Sequence, residues 1–84
     1  MIKMLFFAGL REALGAGEEM LAAPEGTGTV ADLVAHLCGR GGRWSAALAA
    51  DARVMVAVNQ GLARMDTPIR DGDEIALFPP VTGG

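Results

Sequence analysis

The chain has 84 residues, a net charge of −3 and a hydrophobic share of 51%. That is one domain with enough apolar material for a core of its own. The acidic balance argues against a nucleic-acid partner, and a single cysteine, Cys38, excludes an internal bridge or a Cys-based zinc site.

Residues 2–8 read as a strand with Ile2, Met4 and Phe6 on one face and Lys3, Leu5 and Phe7 on the other. The apolar stretch 4–10 is too short to span a membrane and runs straight into Arg11 and Glu12, so neither a signal peptide nor an anchor is expected. With a lone thiol that suits a reducing compartment, the expected location is cytoplasmic. A helical turn over residues 10–14 ends at Gly15. Residues 18–23 form a second strand that closes a hairpin with the first, and Pro24 stops it. Thr29 has the character of an N-cap, with Asp32 at the capping-box position. Val30, Leu33, Val34, Leu37 and Cys38 then follow at helical spacing as one apolar stripe. Gly39 to Gly42 ends that helix, and Trp44, Ala47 and Leu48 mark a short second helical piece. The β-branched run 53–58 is the clearest central strand. Asn59-Gln60-Gly61 is a turn, residues 62–64 a short return strand, and Asp71-Gly72 a second turn leading into the last strand, 74–78. The order ββαβββ, with a helix packed across the sheet, is an α+β roll. Its strongly apolar first and last strands suit adjacent central positions.

The last strand runs directly into Pro79-Pro80-Val81-Thr82-Gly83-Gly84. Prolines give no ladder hydrogen bond and favour an extended path. The chain therefore divides into a folded domain, residues 1–78, and an extended tail, residues 79–84. Six residues reach at most about 20 Å. Two terminal glycines keep that thread slim enough to enter a partner's pocket. A free α-carboxylate at Gly84 would be ionised at neutral pH and a poor electrophile. ATP converts such a group to an acyl-adenylate, and a sulfur donor can then displace AMP to leave a thiocarboxylate. The bland alternative is a frayed terminus. Ordering four tail residues in a pocket costs roughly 4–8 kcal/mol of backbone entropy, which a docked body can offset with buried apolar area. Phe7, Leu62 and Phe78 are candidates for such a docking patch; the alternative is that all three are core.

No internal active site emerges. His36 falls opposite the apolar stripe and reads as a solvated side chain. Cys38 lies at the edge of the stripe and reads as a small core hydrophobe. Gly26-Thr27-Gly28-Thr29 hints at a phosphate loop but lacks its lysine, and reads better as a turn with an N-cap. Asp71, Asp73 and Glu74 match no calcium-loop spacing. Arg40-Gly41-Gly42-Arg43 reads as a loop rather than an RNA-binding fragment.

Three blocks of the sequence together resemble one known family. They are Asp71-Gly72-Asp73-Glu74 through Phe78 and the Pro-Pro-Val-Thr-Gly-Gly tail; the opening Met1-Ile2-Lys3-Met4-Leu5-Phe6-Phe7-Ala8 with Arg11-Glu12; and Ala57-Val58-Asn59-Gln60. The chain is similar over essentially its whole length to the small, MoaD-type subunits of molybdopterin synthase, within the MoaD/ThiS ubiquitin-like sulfur carriers. The resemblance implies a β-grasp roll: a mixed sheet, one main helix across it and an extended C-terminal tail. It implies a non-catalytic small subunit of a sulfurtransferase, acting in molybdenum cofactor biosynthesis through Gly84. That residue is adenylated by an E1-like (MoeB-like) enzyme, converted to a thiocarboxylate, and gives sulfur to cyclic pyranopterin monophosphate to form the molybdopterin dithiolene. ATP serves the activating partner, and no cofactor is bound stably. The implied partner is the large, MoaE-like synthase subunit, in a heterotetramer. Phe7, Leu62 and Phe78 match the family's hydrophobic contacts and Arg11 a polar one, while Pro79, Pro80, Val81, Thr82 and Gly83 thread the partner. The competing readings are a carrier for thiamine thiazole and a ubiquitin-like binding module or protein modifier.

Overall fold

Alternation fixes the sheet. The strand β1 (Ile2–Phe6) buries every second side chain, and β5 (Glu74–Phe78) does the same in the opposite phase. In a strand this period-2 pattern puts the buried set on one face. The computed structural model, which describes residues 1–49 and 53–80, pairs these two strands in parallel, with Met4 beside Ile75 and Phe6 beside Leu77. β2 (Glu18–Leu21) adds to β1 antiparallel, β3 (Met55–Val58) adds to β5 antiparallel, and β4 (Gly61–Ala63) adds to β3. The result is a five-stranded mixed sheet in the order β2-β1-β5-β3-β4. β1 and β5 are neighbours, as expected, with β5 at the centre. The run around residues 53–58 is interior but not central. β-Branched residues signal burial and say nothing of which strands lie on either side.

Among the described residues, three helices pack on one face of the sheet. α1 (Ala8–Leu14) starts two residues earlier than the apolar spacing suggests, because Phe7 caps it with no side-chain bond. It ends at Gly15, whose φ of 70° suits glycine. α2 (Val30–Cys38) opens on a capping box: Asp32 N–H donates to Thr29 Oγ1 at 3.3 Å, and Thr29 N–H donates to Asp32 Oδ2 at 3.1 Å. α3 (Arg43–Ala47) is the short second piece. Between the helices and the sheet lies the core: Ile2, Met4, Phe6, Val56, Ile75 and Leu77 from the strands, with Leu10, Leu14, Val30, Leu33, Leu37 and Leu48 above them. Trp44 meets Phe6 edge to face, centroids 5.5 Å apart, and Arg40 lies 4.5 Å over the Trp44 ring. The same guanidinium forms a forked pair with Glu19 and ties β2 to the far end of α2. Arg40 is therefore part of the architecture and not an open basic contact. β2 ends at Leu21, opposite Ile2, where β1 itself begins. Continued one step, that register leaves only Met1 opposite Ala22 and no residue opposite Ala23. No helix among the described residues is long and apolar enough to cross a membrane.

Candidate functional site

The uncovered face of the sheet carries the candidate site. Strand parity sends Leu5, Phe7, Ala57, Ala76 and Phe78 away from the core. Cross-strand register then aligns them: Leu5 beside Ala76, Ala76 opposite Ala57, and Ala57 opposite Leu62. Phe78 lies opposite Met55. Phe7 N–H donates to Leu77 O at 3.1 Å, which carries Phe7 along the same ladder. Phe7, Leu62 and Phe78, from three distant parts of the chain, thus share one surface. Phe7 is 47% and Leu62 77% exposed. Phe78 is only partly exposed, because its strand is flanked on both sides. An apolar surface of this kind on one sheet face is a candidate docking surface.

Sequence reasoning missed Met55, which is 40% exposed on this face. Its signal was the alternation Met55-Ala57 against Val54-Val56-Val58, hidden because both sets are apolar. At the other end the face turns polar. Lys3 pairs with Glu18 at 3.1 Å and stands beside Glu74. The hydrogen bond to Glu18 and its charge hold the lysine pKa above its ordinary value, with a smaller contribution from the Glu74 carboxylate.

β5 links this face to the tail. The strand ends at Phe78, and Pro79 and Pro80 follow outside regular structure. Pro80 helps to line an apolar cavity with Val34, Cys38, Val54 and Met65, between α2 and the start of β3, and Met55 borders it at that end of the strand. Val81, Thr82, Gly83 and Gly84 lie outside the described residues. Arg11 is exposed on α1, one turn from Phe7, whose carbonyl accepts its N–H at 3.4 Å. Its side chain lies over Gly17, where a Cβ would come within 3.0 Å of Nε.

The other polar groups are engaged in holding the fold. Gly28 N–H (2.9 Å) and Thr29 N–H both donate to Asp32 Oδ2, so this loop spends its donors on a carboxylate of its own and not on a phosphate. Those bonds hold the Asp32 pKa below the usual carboxylate range, with Gly28 the larger cause. Asp71 pairs with the Met1 amine. Asp73 accepts Arg70 N–H at 2.8 Å and the Asn59 amide at 3.1 Å, and both hold its pKa down. His36 is exposed and Cys38 partly buried. Among the described residues no group of three or more His, Cys, Asp or Glu is placed to hold a metal.

A mixed sheet with α2 packed across it, a central β5 and an outgoing tail is the ubiquitin-like β-grasp fold. Solved structures agree: SAMP1 of Haloferax volcanii matches with a TM-score of 0.76 at 28% identity, covering 99% of this chain and 98% of that one. The chain belongs to the ThiS family, whose pattern matches residues 4–84. It is 48% identical over 84 residues, the full length of both chains, to the molybdopterin synthase sulfur carrier subunit of Escherichia coli (strain K12). It is also similar to a chain in the protein–protein complex of subunits 1 and 2 of the molybdopterin-converting factor from Helicobacter pylori. There the TM-score is 0.65 at 25% identity, covering 99% and 97% of the two chains.

Proposed function

We propose that this chain is the sulfur-carrier subunit of molybdopterin synthase. One observation carries the reading: the strand that places Phe78 on the open apolar face is the strand that leads into the tail. Docking of the face and delivery of the terminus are thereby one mechanical act. The full-length likeness to a named sulfur carrier subunit supports it.

The chemistry belongs to the tail. The Gly84 carboxylate attacks the α-phosphorus of ATP in an E1-like, MoeB-like partner, and pyrophosphate leaves. Sulfur at the sulfide level, as hydrosulfide, then attacks the acyl carbon; the C–S bond forms, the C–O bond to AMP breaks and AMP leaves. The thiocarboxylate is carried to the large, MoaE-like subunit in a heterotetramer, where its sulfur attacks an oxygen-bearing carbon of cyclic pyranopterin monophosphate and displaces that oxygen, leaving the sulfur bonded to both the substrate and the Gly84 acyl carbon. Hydrolysis returns the carboxylate. The body contributes position. Phe7, Leu62, Phe78 and Met55 dock, Arg11 adds a polar contact, and Pro79 to Gly83 thread the pocket. ATP is consumed by the activating partner, and the setting is cytoplasmic.

The test is an intact mass after incubation with the activating enzyme, ATP and a sulfur source. A gain equal to one oxygen replaced by sulfur is expected, and no gain refutes the reading. Equally, a chain lacking Gly84 that restored molybdoenzyme activity in a deficient strain would refute it. A second reading, conjugation of Gly84 to lysines, is favoured by the likeness to small archaeal modifier protein 1. An isopeptide-linked peptide in cell extracts would reveal it.

A further inference from the structure

Three non-glycine residues have positive φ among the described residues: Ala8 at 52°, Asn59 at 51° and Gln60 at 71°. Two of them are consecutive, in the β3–β4 turn. A two-residue hairpin loop with both central residues left-handed matches the twist of its strands, and asparagine followed by glycine suits it best. Asn59 fits, since asparagine tolerates this conformation. Gln60 does not, because its Cβ meets the backbone there and it has no short side chain to compensate. Glycine comes one residue late. Gly61 is absent from the positive-φ residues, and a Cβ on it would meet nothing nearer than Val58 O at 3.7 Å. Neither backbone nor space asks for glycine at 61, while the backbone at 60 does.

The turn is nonetheless firmly held, and its side-chain bonds come from Asn59. Asn59 N–H donates to Glu74 O at 2.7 Å, Glu74 N–H donates to Asn59 Oδ1 at 3.0 Å, and Asn59 Nδ2 donates to Asp73 Oδ1 at 3.1 Å. Gln60 takes no part in these bonds and is exposed at the tip. Two residues on stands Leu62, the most exposed large apolar side chain among the described residues. Interfaces surround an apolar centre with a polar rim, and a backbone already fixed loses less entropy on binding. Backbone strain held in place beside a recognition surface is a pointer to function.

We propose that the Asn59–Gln60 turn is a fixed recognition element of the docking face. Asn59 locks the left-handed backbone, and the Gln60 carboxamide offers a donor and an acceptor to an exposed peptide group of the large synthase subunit, at the rim beside Leu62. This rests on the docking reading given above.

The experiment titrates wild type, Gln60→Gly and Gln60→Asn into the large subunit by calorimetry, with a thermal melt of each free carrier. Gln60→Gly removes the strain, so its melting temperature holds or rises, while its Kd rises about tenfold for the lost interfacial bonding. Gln60→Asn keeps a carboxamide and a tolerant backbone, and stays within about threefold of wild type. A turn that only connects strands gives a Gln60→Gly carrier that binds like wild type, which overturns the inference. So does weaker binding accompanied by a lower melting temperature, or Gln60→Asn as weak as Gln60→Gly. A wild-type carrier that fails to bind the large subunit overturns the docking reading itself, and is seen before any variant is compared.

Discussion

Truncating Leu62 to alanine removes the same atoms as truncating Leu33, yet Leu62 is 77% exposed and Leu33 0%. Fully burying a leucine side chain is worth about 1.5–3 kcal/mol. With less than a quarter of Leu62 covered, the free chain already holds roughly 0.3–0.7 kcal/mol of this, and about 1.2–2.3 kcal/mol remains for a partner to collect. Leu62→Ala should therefore lower the melting temperature by only about 1–6 °C. Affinity for the large subunit should fall about 7- to 45-fold. Leu33→Ala, by contrast, should cost about 2–5 kcal/mol of fold stability. Scanning calorimetry of the free chains and titration calorimetry against the large subunit separate the two effects. A Leu62→Ala chain that melts like Leu33→Ala, or binds like wild type, would show that this face is not a docking surface.

Phe78→Ala should do both kinds of damage, since Phe78 is more covered than Leu62: weaker binding, and a stability loss of about 2 kcal/mol, below the roughly 3–5 kcal/mol of a fully buried ring. Unchanged affinity in a titration would remove Phe78 from the contact set. Thr29→Ala breaks the capping box of α2 and should cost about 1 kcal/mol, read as a melting shift of about 4–8 °C; no shift would mean the cap is idle. Acid should unfold the chain through Glu19, Asp32 and Asp73, all held below their ordinary pKa. Arg40 is the main cause at Glu19, and backbone N–H groups are at the two aspartates. Because the native state binds these protons less readily than the unfolded chain, their contribution is complete above the unfolded carboxylate range of about 4 and fades as pH falls through the lower native values. Melting temperature should hold between about pH 7 and 5 and drop below about 4; a melt unchanged at pH 3 would contradict the assignment.

Much of this was legible in the residues. Ile2, Met4 and Phe6 alternate with a clean parity, and Thr29 with Asp32 announces a helix start whose bonds are local. Local chemistry of that kind reads directly from sequence. The sheet order does not, because which strand lies at the centre depends on pairing between segments some 70 residues apart, as with Met4 and Ile75. Met55 was hidden because β3 is apolar on both faces, so parity could not say which side was open. The start of α1 was hidden because Phe7 caps it without a side-chain bond. Arg11 entered only through resemblance; nothing in its immediate neighbours marks a contact. The strain at Gln60 is likewise silent in sequence, where Asn59-Gln60-Gly61 reads as an ordinary turn.

β5 is bonded on both flanks, to β1 and to β3. Ladder bonds lie across the strands they join. A pull on the terminus directed along β5 therefore loads every rung of two ladders sideways and simultaneously, in shear. A marginal strand in that place would unzip rung by rung under the same force. The body is thus an anchor that resists traction: a partner that drew the chain's end into a pocket would not unravel the molecule behind it.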